Sequence, residues 1–147
     1  MTFAAPGQEQ GTYRFGVETA DSVLKVRQAN LWPERPLSHV RVPGDDTALH
    51  LGVRHTDELV GVASFFVDGS AAQLRKLAVD ARHRGQGLGA ALVLQGAAQM
   101  RDKNLGTLWC DARVTALPFY QNLGFDVVPG IFFKSGLPYQ KATLALS

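Results

Sequence analysis

The chain has 147 residues, 46% of them hydrophobic and 19% charged, with a formal net charge of +2. That length suits one domain able to bury about two-thirds of its unfolded surface, and so small a charge does not by itself imply nucleic-acid binding. A lone cysteine, Cys110, excludes an internal disulfide and fits a reducing compartment; in the apolar run Leu108-Trp109-Cys110 it reads as a buried strand residue.

Residues 1–7 carry neither a basic start nor an apolar stretch of signal length. No apolar run nears the ~20 residues a membrane helix needs. The expectation is a cytoplasmic protein with no membrane and no nucleic-acid partner. Residues 1–11 read as a loose tail, and 12–147 as a single domain.

Residues 13–18 alternate weakly and predict a first strand. Thr19 stands as a helix cap ahead of residues 20–31, and Pro33 ends that helix by disfavouring helical geometry at Trp32. Prolines 33, 36 and 43 with Gly44 predict a loop. Residues 48–54 alternate, with Leu49, Leu51 and Val53 on one face and His50, Gly52 and Arg54 on the other. Residues 59–67 form a richer strand, Asp68-Gly69 a hairpin turn, and residues 74–79 a further strand. In the next helix Ala90, Val93, Leu94, Ala97 and Ala98 make one apolar stripe, with Gln95, Gln99 and Asp102 elsewhere on the surface. Residues 104–106 stop it. A strand over 107–113, a short helix over 115–123 halted by Gly124, and strands near 125–128 and 141–146 complete the chain. The order is β-α-β-β-β-α-β-α-β-β.

Between the strand at 74–79 and the Ala-rich helix lies Arg82-His83-Arg84-Gly85-Gln86-Gly87-Leu88-Gly89-Ala90. Alternating glycines let the backbone turn tightly and let a ligand approach it closely. The first N–H groups of the helix lack partners within it, and the helix dipole makes that end electropositive. Such a loop suits a phosphate or diphosphate. Gly85-x-Gly87-x-x-Ala90 also satisfies the dinucleotide fingerprint, with Asp111 at about the ~20-residue spacing expected of a ribose partner. Against that, residues 80–83 separate the strand from the first glycine, and little chain follows Gly89. A P-loop lacks its Gly-Lys-Ser/Thr. A plain turn that binds nothing is the third option.

Arg84-Gly85-Gln86-Gly87-Leu88-Gly89 resembles the acyl-CoA signature of the GNAT superfamily of N-acetyltransferases: Arg or Gln, two residues, Gly, one residue, Gly or Ala, opening a helix after the fourth strand. Ala116-Leu117-Pro118-Phe119-Tyr120 with Gly124-Phe125 is similar to that family's A-x-x-F-Y-x-x-x-G-F element. The likeness is clear over residues 74–125; the N-terminal half matches in strand order. It implies an α/β (α+β) mixed-sheet fold of the acyl-CoA N-acyltransferase type, with the fourth and fifth strands splayed apart. It implies acetyl-CoA as cosubstrate and no metal. Backbone N–H groups of Arg84, Gly85, Gln86, Gly87, Leu88, Gly89 and Ala90 would bind the diphosphate. Main-chain groups of Leu77, Ala78 and Val79 would pair with the pantetheine arm, and an N–H of this stretch would meet the thioester carbonyl.

The resemblance makes Tyr120 the general acid for the departing thiolate, since a phenol near pKa 10 stays protonated at neutral pH. The competing reading is a core aromatic pair, Phe119-Tyr120. Some members carry a Glu base where this chain has Gln73, which cannot accept a proton. Water or a carboxylate such as Glu34, Asp45 or Asp46 remains; His50 is a further candidate because imidazoles as a class exchange protons near neutrality, but its place on a strand reads more readily as surface. Arg113 stands where many members have Asn, so that amide contact is not carried over. Residues 32–46 are expected to shape the acceptor pocket, and their mixed charges favour neither a cationic nor an anionic acceptor. The reading is therefore an N-acetyltransferase acting on a primary amine, of a small molecule or of a peptide or protein, by direct transfer in a ternary complex. A homodimer stays open. The rival is a catalytically silent acyl-CoA-binding or regulatory module.

Overall fold

The computed structural model of the chain describes residues 9–10 and 13–147. They divide into two compact units, Met1–Phe66 with Leu74–Gly96, and Val67–Gln73 with Ala97–Ser147. In the first unit, strand β1 (Glu9–Gln10) pairs antiparallel with β2 (Tyr13–Glu18), β2 with β3 (Leu49–His55), and β3 with β4 (Glu58–Asp68). β5 (Ala71–Val79) follows β4 in the strand order. β1 lies in the stretch expected to be a loose tail; the rest of that tail is outside the described residues.

Thr19 caps, but not the helix itself. Its Oγ1 accepts the Ser22 N–H at 3.1 Å, and Leu24 N–H bonds Asp21 O at 3.3 Å, so the chain winds a tight turn first. Helix α1 therefore spans Leu24–Leu31, starting later than the spacing predicts. It ends at Trp32, ahead of Pro33, as expected. Val23 and Val26 at its start pack against Val62, Ala78 and the half-buried Leu59, which seats α1 over β4 and β5. A 3-10 turn (Leu37–Val40) sits in the following loop.

Helix α2 (Leu88–Asp102) buries part of the predicted stripe and a neighbouring face besides. Val93 and Ala97 of the stripe are buried, together with Leu88, Ala91, Leu92, Gln95, Gly96 and Met100, whereas Ala98 is exposed and Ala90 and Leu94 are half-buried. The buried face is wider than the stripe and takes in Gln95, expected on the surface, and Gly96, where an aromatic ring packs. A Cβ at Gly96 would lie 1.9 Å from Phe65 Cζ, so only glycine admits the ring there.

In the second unit, Ala71, Ala72 and Gln73 of β5 pair parallel with Thr107, Leu108 and Trp109 of β6 (Thr107–Arg113). That ladder ends in the middle of β5, while β6 continues paired along its full length to β9 (Leu137–Ala145), from Thr107↔Ala145 to Arg113↔Tyr139. α3 (Leu117–Asn122) follows β6 after a 3-10 turn, Val114–Ala116. The other edge of β9 takes β7 (Asp126–Val127) and β8 (Phe132–Lys134). β8 was not expected. It is three residues long, and its hairpin turns on Ser135 and Gly136, both at positive φ (50° and 79°). The fold is thus mixed α/β with mostly antiparallel strands. No helix among the described residues is long and apolar enough to cross a membrane.

Candidate active site

β5 ends at Val79, and a 3-10 turn (Ala81–His83) leads to the glycine loop. Gly85 and Gly87 take φ of 79° and 77°, the left-handed region that glycine enters without cost. The space where a Gly85 side chain would stand is open. Arg84, Gly85 and Gln86 are exposed. The first helical bond joins Ala91 N–H to Gly87 O at 3.0 Å, so the N–H groups of Leu88, Gly89 and Ala90 precede it in the helix. Residues 84–86 are thus exposed, Gly87, Gly89 and Ala90 half-buried and Leu88 buried, with two positive-φ glycines at an electropositive helix end, an arrangement whose chemistry suits an anion.

Leu77, Ala78 and Val79 lie one turn upstream of this loop in the same unit. Just before them Lys76 holds φ at 59°, a left-handed conformation inside a strand that costs a residue with a Cβ about 1–2 kcal/mol. Nothing in the sequence signals it. Such a residue kinks the strand locally, while burial keeps its alternation on either side, with Ala72 and Leu74 buried before it and Ala78 after. Ala78 is buried, while Leu77 and Val79 are half-buried.

The arginine of the loop is engaged with the protein itself. Arg84 Nε donates to Val79 O at 2.9 Å, and its Nη2 lies 3.4 Å from Asn30 Oδ1. Its charge still stands beside the loop, but the Val79 carbonyl already has a donor. His83 is held from the other side: Tyr13 hydroxyl and His83 Nδ1 are 2.9 Å apart, and the His55 ring lies 4.9 Å from the His83 ring. Arg82 reaches Glu58 at 3.2 Å.

Two base candidates prove to be occupied. Asp45 and His50 are buried, 6% and 3% exposed, which corrects the surface reading of His50. Arg27, fully buried on α1, donates to both Asp45 carboxylate oxygens at 2.8 and 2.9 Å, to Val40 O at 3.0 Å and to Ser64 Oγ at 2.9 Å. His50 Nε2 faces the Asp45 carbonyl at 2.8 Å and Nδ1 faces Ser64 Oγ at 2.7 Å. A carbonyl only accepts, so Nε2 carries the proton and Nδ1 accepts from the Ser64 hydroxyl. Both ring nitrogens are committed. Burial alone raises the Asp45 carboxyl, but hydrogen bonds from Arg27 and the Val42 N–H, with the Arg27 charge, bring it below the usual carboxylate range. This network pins the expected acceptor segment to β3 and β4; it offers no base. Glu34 and Asp46 are exposed.

Tyr120 belongs to the second unit, on α3. It is 8% exposed, edge-on to Phe119 at 5.0 Å and to Phe125 at 5.3 Å. Its hydroxyl lies against the Cys110 thiol. Burial, reinforced by Cys110, pushes the phenol up from its ordinary value, and burial pushes Cys110 up to about 12. Cys110 is thus the buried strand thiol that its apolar setting predicts. Asp111 is paired with Lys134 at 2.9 Å, Gln73 is half-buried, and Arg113 is exposed. Among the described residues no three His, Cys, Asp or Glu side chains gather as a metal site.

Comparison with known proteins places the chain in a family and a fold. The family described as Acetyltransferase (GNAT) family matches residues 18–125. The uncharacterised N-acetyltransferase YitI of Bacillus subtilis is 26% identical over 129 residues, covering 77% of this chain and 86% of its own. The ribosomal-protein-S18-alanine N-acetyltransferase of Escherichia coli superposes with a TM-score of 0.78 at 18% identity, over 92% of this chain and 94% of its own. A GNAT family acetyltransferase from Elizabethkingia anophelis, solved with acetyl-CoA bound, superposes with a TM-score of 0.72 at 15% identity, over 92% and 99%.

Proposed function

Because the chain belongs to the GNAT acetyltransferase family, we propose that residues 12–147 act as one cytoplasmic N-acetyltransferase domain that moves the acetyl group of acetyl-CoA to a primary amine within a ternary complex. The observation that carries this reading is the loop at residues 84–90: exposed over 84–86, with two glycines at positive φ and helix N–H groups ahead of the first α2 bond. Those donors and the helix dipole suit a diphosphate. The left-handed Lys76, a local irregularity just ahead of Leu77, Ala78 and Val79, supports main-chain recognition of the pantetheine arm by these residues, and of the thioester oxygen by an N–H there.

In the reaction the neutral amine attacks the thioester carbonyl carbon. A C–N bond forms, the C–S bond breaks, and CoA leaves as a thiolate. Tyr120 is the donor to that sulfur. The burial that keeps its phenol protonated also makes it a weak acid, so it stabilises the developing thiolate chiefly through a hydrogen bond. The amine's proton leaves to water, since His50 and Asp45 are held in their own network. The acceptor is a primary amine of a small molecule or of a peptide; the E. coli structure's name assigns it an alanine of ribosomal protein S18.

The commitment of His50 and Asp45, with Gln73 in place of a carboxylate, also favours a second reading, an acyl-CoA-binding module without turnover. Mixing the protein with acetyl-CoA and a panel of primary amines, and following free thiol, separates the two. Amine-dependent thiol release is the expected result. Saturable cosubstrate binding with no release for any amine assigns the module instead.

A further inference from the structure

Asn30, half-buried in the last turn of α1, spends its carboxamide on the two ends of one turn. Its Nδ2 donates to Val26 O at 2.9 Å, one helical turn back, and to Asp80 Oδ1 at 2.6 Å. Its Oδ1 faces the Arg84 guanidinium at 3.4 Å. Asp80 is where β5 stops: its N–H donates to Val60 O at 2.8 Å and its carbonyl accepts the His83 N–H at 2.9 Å. Arg84 opens the glycine loop and is tied back to Val79 O at 2.9 Å. One side chain therefore grips the turn at residue 80 and again at residue 84.

The chemistry at this position is selective. The group between Asp80 and Arg84 must donate to a carboxylate and accept from a guanidinium at once. A carboxamide does both without charge. A carboxylate would repel Asp80, and an ammonium would repel Arg84. The bond to Val26 alone would be a local helix contact; those to Asp80 and Arg84 join residues 50 and 54 apart in sequence.

We propose that Asn30 is a positioning residue for acetyl-CoA. It fixes the stance of the turn so that the N–H groups of residues 84–90 meet the diphosphate already in place, and binding does not have to order them. This rests on the reading that the loop takes the CoA diphosphate. Asn30 itself touches no reacting atom.

Calorimetry with CoA, alongside steady-state kinetics, tests it in the full chain. Asn30→Ala is expected to weaken CoA binding about tenfold and raise the KM for acetyl-CoA in step, with kcat at saturation held within about twofold, as lost preorganisation predicts. Asn30→Asp supplies a second readout, including where the alanine variant folds poorly. Its carboxylate faces Asp80 on one side and Arg84 on the other. That carboxylate cannot donate to Asp80 and is repelled by it, so the variant's CoA affinity is expected to fall several-fold relative to wild type, with kcat at saturation again held within about twofold. Either variant binding CoA as wild type does overturns the proposal. A wild-type protein that binds no CoA removes the functional reading and this inference together, whereas wild-type binding with unaltered variants removes this inference alone.

Discussion

Tyr120→Phe is expected to lower kcat about a hundredfold while leaving the KM for acetyl-CoA within about threefold, the pattern of a donor used only as charge develops on the leaving sulfur. The substitution keeps the ring that packs between Phe119 and Phe125 and removes only the hydroxyl against Cys110. Its structural cost is therefore small, and a kinetic loss reports chemistry. The raised pKa adds a pH signature. A phenol held protonated beyond its ordinary range keeps donating at high pH, so wild-type kcat should show no descending limb at about pH 10 from Tyr120 ionisation. A raised KM with unchanged kcat would instead make Tyr120 a binding or packing residue.

Asp45→Ala is expected to cost about 3–5 kcal/mol, read as the shift in a urea unfolding curve, because it leaves the Arg27 charge buried without its partner. Against a typical total of about 5–15 kcal/mol that is enough to leave a marginal fold. Arg27→Leu in the same chain should recover part of the loss, since removing both charges abolishes the unpaired ion. The same group sets an acid limit. The Asp45 carboxyl sits below its ordinary value in the fold, so its contribution is complete above the unfolded carboxylate range and is lost as pH falls through the folded value. Asp45→Asn should flatten that part of the acid unfolding curve. A loss under about 1 kcal/mol for Asp45→Ala would show that the buried pair carries little stability.

Periodicity marks β6, whose buried residues Leu108, Cys110 and Ala112 alternate, whereas β4 reads as an apolar run because residues 60–65 are buried on both faces; proline and glycine mark where α1 and α3 stop. In α2 periodicity places Val93 and Ala97 inside, as they are, but misses the buried face through Ala91, Leu92, Gln95 and Gly96, where the Phe65 ring packs. β8 escaped because three residues carry no period and its turn uses Ser135 at positive φ. The loop at residues 84–90 was legible because its glycines are contiguous with the helix they serve. His50, Asp45 and Asn30 were not, because their partners come from distant segments: Ser64 and Arg27 for the first network, Asp80 and Arg84 for Asn30. Local sequence can mark a backbone site. It cannot mark a side chain whose role depends on what the fold brings beside it.

A crystal structure of the protein grown with CoA decides where the diphosphate binds. Its oxygens are expected within hydrogen-bond distance, about 2.7–3.2 Å, of backbone nitrogens from residues 84–90, with Gly85 and Gly87 still at positive φ. A diphosphate bound at any other surface, or a loop that leaves its amides turned to solvent with CoA present, contradicts the assignment.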